Sequence, residues 1–233
     1  MQSQLKLVLL PGMDGTGRLF RSFVEALPPG METVTVRYPA DASLSYPELE
    51  NFVQAACPIS GPFVLLAESF STPLAIRYAA SNSGNLEGLV LCAGFATSPV
   101  RGWRRFLGSL LAPLMFHVPL PNLAAKLWLV GPDAPPSLLA AVRSAVSSVQ
   151  SKVLAARLRA VLRCDVRAEL GRVAVPILYI QAQQDRLVSP SCLEELRRIK
   201  PQMAVTVLEG PHLLLQREPS KAAEVVTRFV RSL

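Results

Sequence analysis

Six stretches of the chain carry apolar residues almost without interruption: LKLVLL (5–10), ETVTVRY (32–38), FVLLAE (63–68), EGLVLCA (87–93), PILYIQA (176–182) and AVTVLE (204–209). Runs that are continuously apolar, rather than alternating, predict strands covered on both faces. Helical patterns separate most of them. LFRSFVEAL follows the first run, YPELENFVQAA the second, TPLAIRYAA the third, CLEELRRI the fifth and KAAEVVTRFV the sixth. This alternation predicts an α/β fold: a mostly parallel, doubly wound sheet of about six strands with helices on both faces.

The fourth run breaks the rhythm, with about 80 residues before the next strand. They hold Pro-punctuated apolar stretches and a spacing of three to four through Leu138, Val142, Val146, Val149, Val153, Leu158 and Val161, which predicts one long amphipathic helix. The simplest organisation is a core made of 1–98 and 171–233, with 99–170 inserted as a helical cap over one end of the sheet.

Open parallel sheets gather functional groups at the carboxyl ends of their strands. After the first strand, PGMDGTGRLF supplies Gly12, Gly15 and Gly17. The loop admits three readings. As a phosphate loop it has the glycine spacing, but Arg18 and Leu19 stand where Lys and Ser/Thr are needed. As half of an oxyanion hole it would offer a backbone N–H. As a plain Gly-rich connection it would do neither, and the loop alone does not separate the last two.

After the third strand, Ala67-Glu68-Ser69-Phe70-Ser71 has the small-x-Ser-x-small spacing of a nucleophile elbow. Glycine is usual at both flanking positions; Ala67 and Ser71 are small but carry a Cβ. Pro73 suits the first turn of a following helix. The other reading of Ser69 is a polar turn residue. After the fourth strand, Gly94 to Ser98 contain no acid. After the fifth, QQDRLV offers Asp185, which alone reads as a turn or helix-capping residue. After the sixth comes His212, one of two histidines in the chain. The other, His117, is flanked by apolar residues and reads as packing or pocket lining.

Taken together, Ser69, Asp185 and His212 follow three different strands of one sheet, at a common edge. A serine hydroxyl needs a base to take its proton. His212 would be that base and Asp185 its orienting carboxylate. The Phe70 and Met13 N–H groups would receive the oxyanion.

With these residues in place, the chain resembles the α/β-hydrolase superfamily over essentially its full length. LLPGMDGTG resembles the oxyanion loop, with Pro11 where relatives often have His. AESFS resembles the elbow, QQDRLV the acid turn, and GPHLLLQREP the histidine loop and its helix. The pattern is similar to compact esterases with a helical lid, and some plant and bacterial acyltransferases share the PG-x-DG loop. The resemblance implies ester or thioester hydrolysis through an acyl-enzyme, with no metal or organic cofactor. A serine nucleophile sets the chain apart from haloalkane dehalogenases and epoxide hydrolases. The expected activity is a serine carboxylesterase for short-to-medium acyl esters. The alternatives are an acyltransferase or thioesterase on the same residues, or a non-catalytic ligand-binding protein on the same scaffold.

Composition narrows the picture further. The chain has 233 residues, half of them apolar, enough for one sizeable core. Cys57, Cys92, Cys164 and Cys192 form no CxxC pair, which disfavours a metal site or a disulfide framework. The N-terminus enters a strand by Leu5 and leaves no room for a secretory signal. FLGSLLAPLMF is too short to span a bilayer, so the expected location is cytoplasmic. Segment 101–163 holds nine basic residues and one acid, Asp133, and so accounts for the whole net charge of +7. That surplus reads as a solvated helix face or as a site for an anionic partner, an acyl-carrier protein or a lipid surface. Nucleic acid is the least favoured partner, because no reading motif accompanies the charge. Trp103, Phe106, Leu110, Leu114, Phe116 and His117 are the candidate substrate-pocket residues of the cap, with Met115, Leu127 and Trp128 beside them.

Overall fold

The computed structural model describes residues 5–81, 84–100, 102, 107–112, 116 and 121–233. Its strands are Lys6–Leu10 (β1), Thr33–Thr35 (β2), Phe63–Glu68 (β3), Leu86–Cys92 (β4), Ile177–Ala182 (β5) and Ala204–Leu208 (β6). They form one sheet in the order β2-β1-β3-β4-β5-β6. Every adjacent pair is parallel.

The uninterrupted apolar runs have a direct structural cause. Successive strand residues point to opposite faces, and both faces are covered. Val8, Leu10, Leu65, Ala67, Leu89, Leu91 and Tyr179 enter one buried cluster. Leu7, Leu9, Val64, Leu66, Val90, Cys92 and Ile180 enter the other. Helices Tyr46–Ala56, Thr72–Ser81 and Pro190–Ile199 cover the first face, and Arg21–Ala26 and Pro219–Arg231 the second. Tyr46–Ala56 starts from a capping box in which Ser45 and Glu48 satisfy each other's end groups. The second run, predicted over seven residues, keeps ladder pairing only at Thr33–Thr35 because β2 is an edge strand. Beyond it, Val36 N–H still bonds Leu9 O at 2.9 Å and Tyr38 N–H bonds Gly15 O at 2.8 Å. Those bonds lead the chain across the β1 loop.

The described part of the segment between β4 and β5 contains the helices Asn122–Ala125, a π-helical turn Lys126–Val130, Pro136–Ser147, Ser151–Arg163 and Arg167–Arg172. The long helix expected through Leu138 to Val161 is two helices, broken at Ser148–Gln150. Ser147 and Ser148 turn their hydroxyls onto Ser144 O and Ala145 O, in competition with the helix ladder. The Gln150 N–H leaves the ladder altogether and bonds Ala40 O at 2.9 Å. The break brings Val149, Val153 and Leu154 against Ala40 and Phe116. The first helix buries Leu139 and Val142 with Val130, Ala134 and Leu213. The inserted helices therefore rest on loops at the carboxyl edge of the sheet. Among the described residues no helix is long and apolar enough to cross a membrane.

Candidate active site

Parallel pairing puts the carboxyl ends of β1, β3, β5 and β6 at one edge. Leu10 lies beside Ala67, and Ala182 beside Leu208. The residue after β3 is Ser69, whose φ is 48°. A non-glycine residue in that region is strained. The strain follows from the turn: β3 runs straight into the 3-10 turn Ser69–Ser71 and the helix Thr72–Ser81. Thr72 completes it by donating its hydroxyl to Ser69 O at 2.8 Å.

The structure brings the three predicted side chains together. His212 Nε2 stands 2.8 Å from Ser69 Oγ. His212 Nδ1 stands 2.8 Å from Asp185 Oδ2. Asp185 also accepts the Leu187 and Val188 N–H groups on Oδ1, at 2.8 and 2.9 Å. With a carboxylate on Nδ1, that nitrogen carries the proton and Nε2 presents its lone pair to the serine. The Asp185 and His212 side chains are only 2% and 5% exposed. Burial pushes the imidazole pKa down, but the hydrogen bond and charge of Asp185, with the charge of Glu68, outweigh it and hold His212 above its usual value.

Phe70 belongs to the elbow turn and Met13 to the loop after β1. Phe70 sits within the 3-10 turn, where a backbone N–H has no intrahelical acceptor. The turn bond of the β1 loop runs from Gly15 N–H to Gly12 O at 3.0 Å and leaves the Met13 N–H out. Several side chains hold the peptides around these two groups. Tyr46 donates its hydroxyl to Phe70 O at 2.9 Å. Ser71 donates to Pro11 O, so the Tyr38 hydroxyl, 2.8 Å from Ser71 Oγ, is the donor to Ser71. The Cβ that Ser71 brings to a usual glycine position thus carries a hydroxyl bridging elbow and loop.

Glu68, at the last position of β3, is 1% exposed. Its Oε2 accepts from Gln216 Nε2 at 3.2 Å, and among the described residues its Oε1 has no partner. Burial lifts its carboxyl to about 7, against the opposing pull of His212 and Gln216. Asp14 is also buried, and burial raises its carboxyl although Thr16 and the Arg157 charge work the other way.

Sequence reasoning missed Glu68, Tyr38, Tyr46 and Arg157. The last had a readable signal: it lies four residues from both Val153 and Val161, inside an apolar stripe. Of the pocket residues, Trp103, Phe106, Leu114 and His117 lie outside the described residues. Leu110 is 67% exposed, and Phe116 packs among Val149, Val153 and Leu154. Among the described residues no group of three His, Cys, Asp or Glu side chains is placed to hold a metal ion, and the four cysteines are buried thiols.

A family model described as "Alpha/beta hydrolase family" matches residues 7–227. No curated protein matches the chain in sequence. Solved structures share its fold at low identity. A hydrolase from Oleispira antarctica superposes with a TM-score of 0.85 at 13% identity, covering 98% of this chain and 92% of its own. A malate-bound thermophilic esterase from Thermogutta terrifontis gives 0.83 at 18%, covering 98% and 90%. An enol-lactonase from Burkholderia xenovorans LB400 gives 0.80 at 16%, covering 97% and 91%. The family model spans nearly the whole length and leaves one assignment: the chain belongs to the alpha/beta hydrolase family.

Proposed function

We propose that this protein is a serine hydrolase of carboxylic esters with short-to-medium acyl chains. The single observation that carries the reading is the unbroken relay from Ser69 Oγ to His212 Nε2 and from His212 Nδ1 to Asp185, at 2.8 Å each, on a serine held at φ 48°. Ser69 Oγ attacks the acyl carbonyl as its proton passes to His212. The Met13 and Phe70 N–H groups receive the oxygen as it becomes anionic. His212 then protonates the departing alcohol and leaves an acyl-Ser69. In the second half His212 takes a proton from water, which attacks the acyl carbonyl. The bond to Ser69 Oγ breaks, His212 returns the proton to Oγ and the carboxylic acid is released, with Asp185 balancing the imidazolium each time. The esterases and the enol-lactonase among the similar folds act on esters by their names, which agrees with this reading. Residues 99–170 serve as a cap that carries the acyl pocket.

The test is a series of p-nitrophenyl esters of rising chain length, with a fluorophosphonate probe on Ser69. We expect turnover that peaks at short-to-medium chains and falls by several orders of magnitude in Ser69→Ala. Turnover unchanged in Ser69→Ala, or no probe labelling, would sink the proposal.

A lipid surface is the partner we propose for the basic segment. Leu107, Leu110, Leu123, Leu127 and Trp128 are exposed there, and Lys126 stands among them. Apolar residues beside cations suit the interface of anionic lipid. Co-sedimentation with phosphatidylglycerol vesicles, absent with phosphatidylcholine and weakened by salt, is the expected result. Binding to neither vesicle would remove this partner.

A further inference from the structure

One cation in the basic segment is not on the surface at all. Arg157, in the Ser151–Arg163 helix, is 2% exposed. Among the described residues it has no carboxylate at ion-pair distance. Its guanidinium instead donates to three backbone carbonyls: Nη1 to Met13 O at 2.9 Å and Asp14 O at 2.7 Å, and Nη2 to Pro39 O at 2.9 Å. It also lies over the Tyr38 ring, 5.7 Å from the centroid. Burying a charge without a counter-ion is costly unless its donors are satisfied, and charge-assisted bonds to carbonyls offset that cost. Burial correspondingly lowers the Arg157 pKa, with Asp14 opposing.

We infer that Arg157 is a positioning residue for the oxyanion loop, clamping the Met13 and Asp14 carbonyls so that the Met13 N–H faces the reacting carbonyl. The inference rests on the hydrolase reading above. The Met13 N–H belongs to the peptide between Gly12 and Met13. The peptide before it is held by Ser71 through Pro11 O, and the peptide after it by Arg157 through Met13 O. Both neighbours are therefore fixed, one from the elbow and one from the inserted helix. Gly15 records the close approach: a Cβ there would stand 2.5 Å from Arg157 Nη1. The helix bearing Arg157 is itself tied down at its start, by Gln150 N–H to Ala40 O and by Ser43 Oγ to Lys152 O at 3.3 Å.

The experiment compares wild type, Arg157→Met and Arg157→Gln on p-nitrophenyl acetate and on the matching thionoester, with thermal unfolding as the folding control. Removing a donor of an oxyanion hole costs roughly 10²–10³-fold in kcat. Misaiming one should cost less, and we expect kcat to fall about 10- to 100-fold with KM little changed. The oxyester-to-thionoester rate ratio should fall with it, because sulfur profits little from well-aimed N–H donors. If Arg157→Met shows no folded transition, Arg157→Gln carries the test with a polar stem in the same slot. A folded variant with kcat near wild type, or one that loses both substrates equally, overturns the assignment. Failure of the wild type to label with a fluorophosphonate would instead overturn the hydrolase reading itself.

Discussion

The sheet and the inserted helices are held in different ways. In the sheet, β1, β3 and β5 are buried along almost their whole length, and all their apolar residues contribute to one of two continuous clusters. The inserted helices join that core only towards their end, through Val161 and Leu170, and otherwise make two small clusters, one of which reaches Leu213 and the other Ala40. A few polar ties supplement them: Leu213 N–H to Leu129 O, Arg217 to Asp133, and Arg157 to the β1 loop. Large apolar residues such as Leu127 and Trp128 remain exposed there. The difference teaches that the site's own groups inherit rigidity from the sheet, whereas the insert touches the site through a few anchored side chains. Those anchors fall on the two loops that matter, next to Met13 and next to His212.

The largest expected effect lies on the sheet side. Asp185→Asn should keep the fold but lower kcat roughly 10⁴-fold, because the imidazole loses its fixed tautomer; ester hydrolysis by the purified variant measures it. Next comes a paired substitution that probes the two regions directly. Leu66→Ala, in a fully buried strand position, should cost about 2–5 kcal/mol, while Leu127→Ala on the insert should change stability by less than about 0.5 kcal/mol. Similar urea midpoints for the two variants would break the comparison.

A smaller effect is tied to pH. The Glu68 carboxyl is lifted to about 7 by burial, well above an unfolded carboxylate. Between the two values the folded state binds the extra proton, so stability falls as pH rises through that window. Glu68→Gln should remove this loss and stabilise the protein by on the order of 2–3 kcal/mol above pH 7. The gain should fade towards acid. The same change removes a charge that favours the imidazolium, so the acid limb of kcat/KM should shift to lower pH. An unmoved limb would show that Glu68 and His212 are uncoupled. The smallest effect concerns strain: Ser69→Gly should be about 1 kcal/mol more stable than Ser69→Ala, since glycine accepts φ 48° freely. Equal melting temperatures would mean that the elbow stores no strain.

Much of this was legible in the chain. The six apolar runs became the six strands, and the order of Ser69, Asp185 and His212 behind β3, β5 and β6 placed them at one edge. The insert was read less well. Its apolar spacing continues through residues 146–153, and nothing in that spacing reports that Ser147 and Ser148 turn back on their own helix or that Gln150 leaves the ladder for Ala40. Its charge was also overread. Arg157 counts among nine cations in the sequence, yet it is buried against carbonyls and contributes nothing to the outer surface. Ser71 read as a poorer substitute for glycine, when its hydroxyl is what joins the elbow to Pro11.

The sequence by itself determined the strands, the helices around them and the edge at which the chemistry gathers. Those follow from the periodicity of neighbouring residues, which is local information. Only the tertiary structure decided the partners of polar groups: Arg157 meets Met13 across 144 positions, and Gln216 meets Glu68 across 148. Whether a charge is solvated or buried, and whether a hydroxyl is idle or bridging, depends on which distant backbone comes to lie beside it. No local pattern of apolar and polar residues encodes that choice.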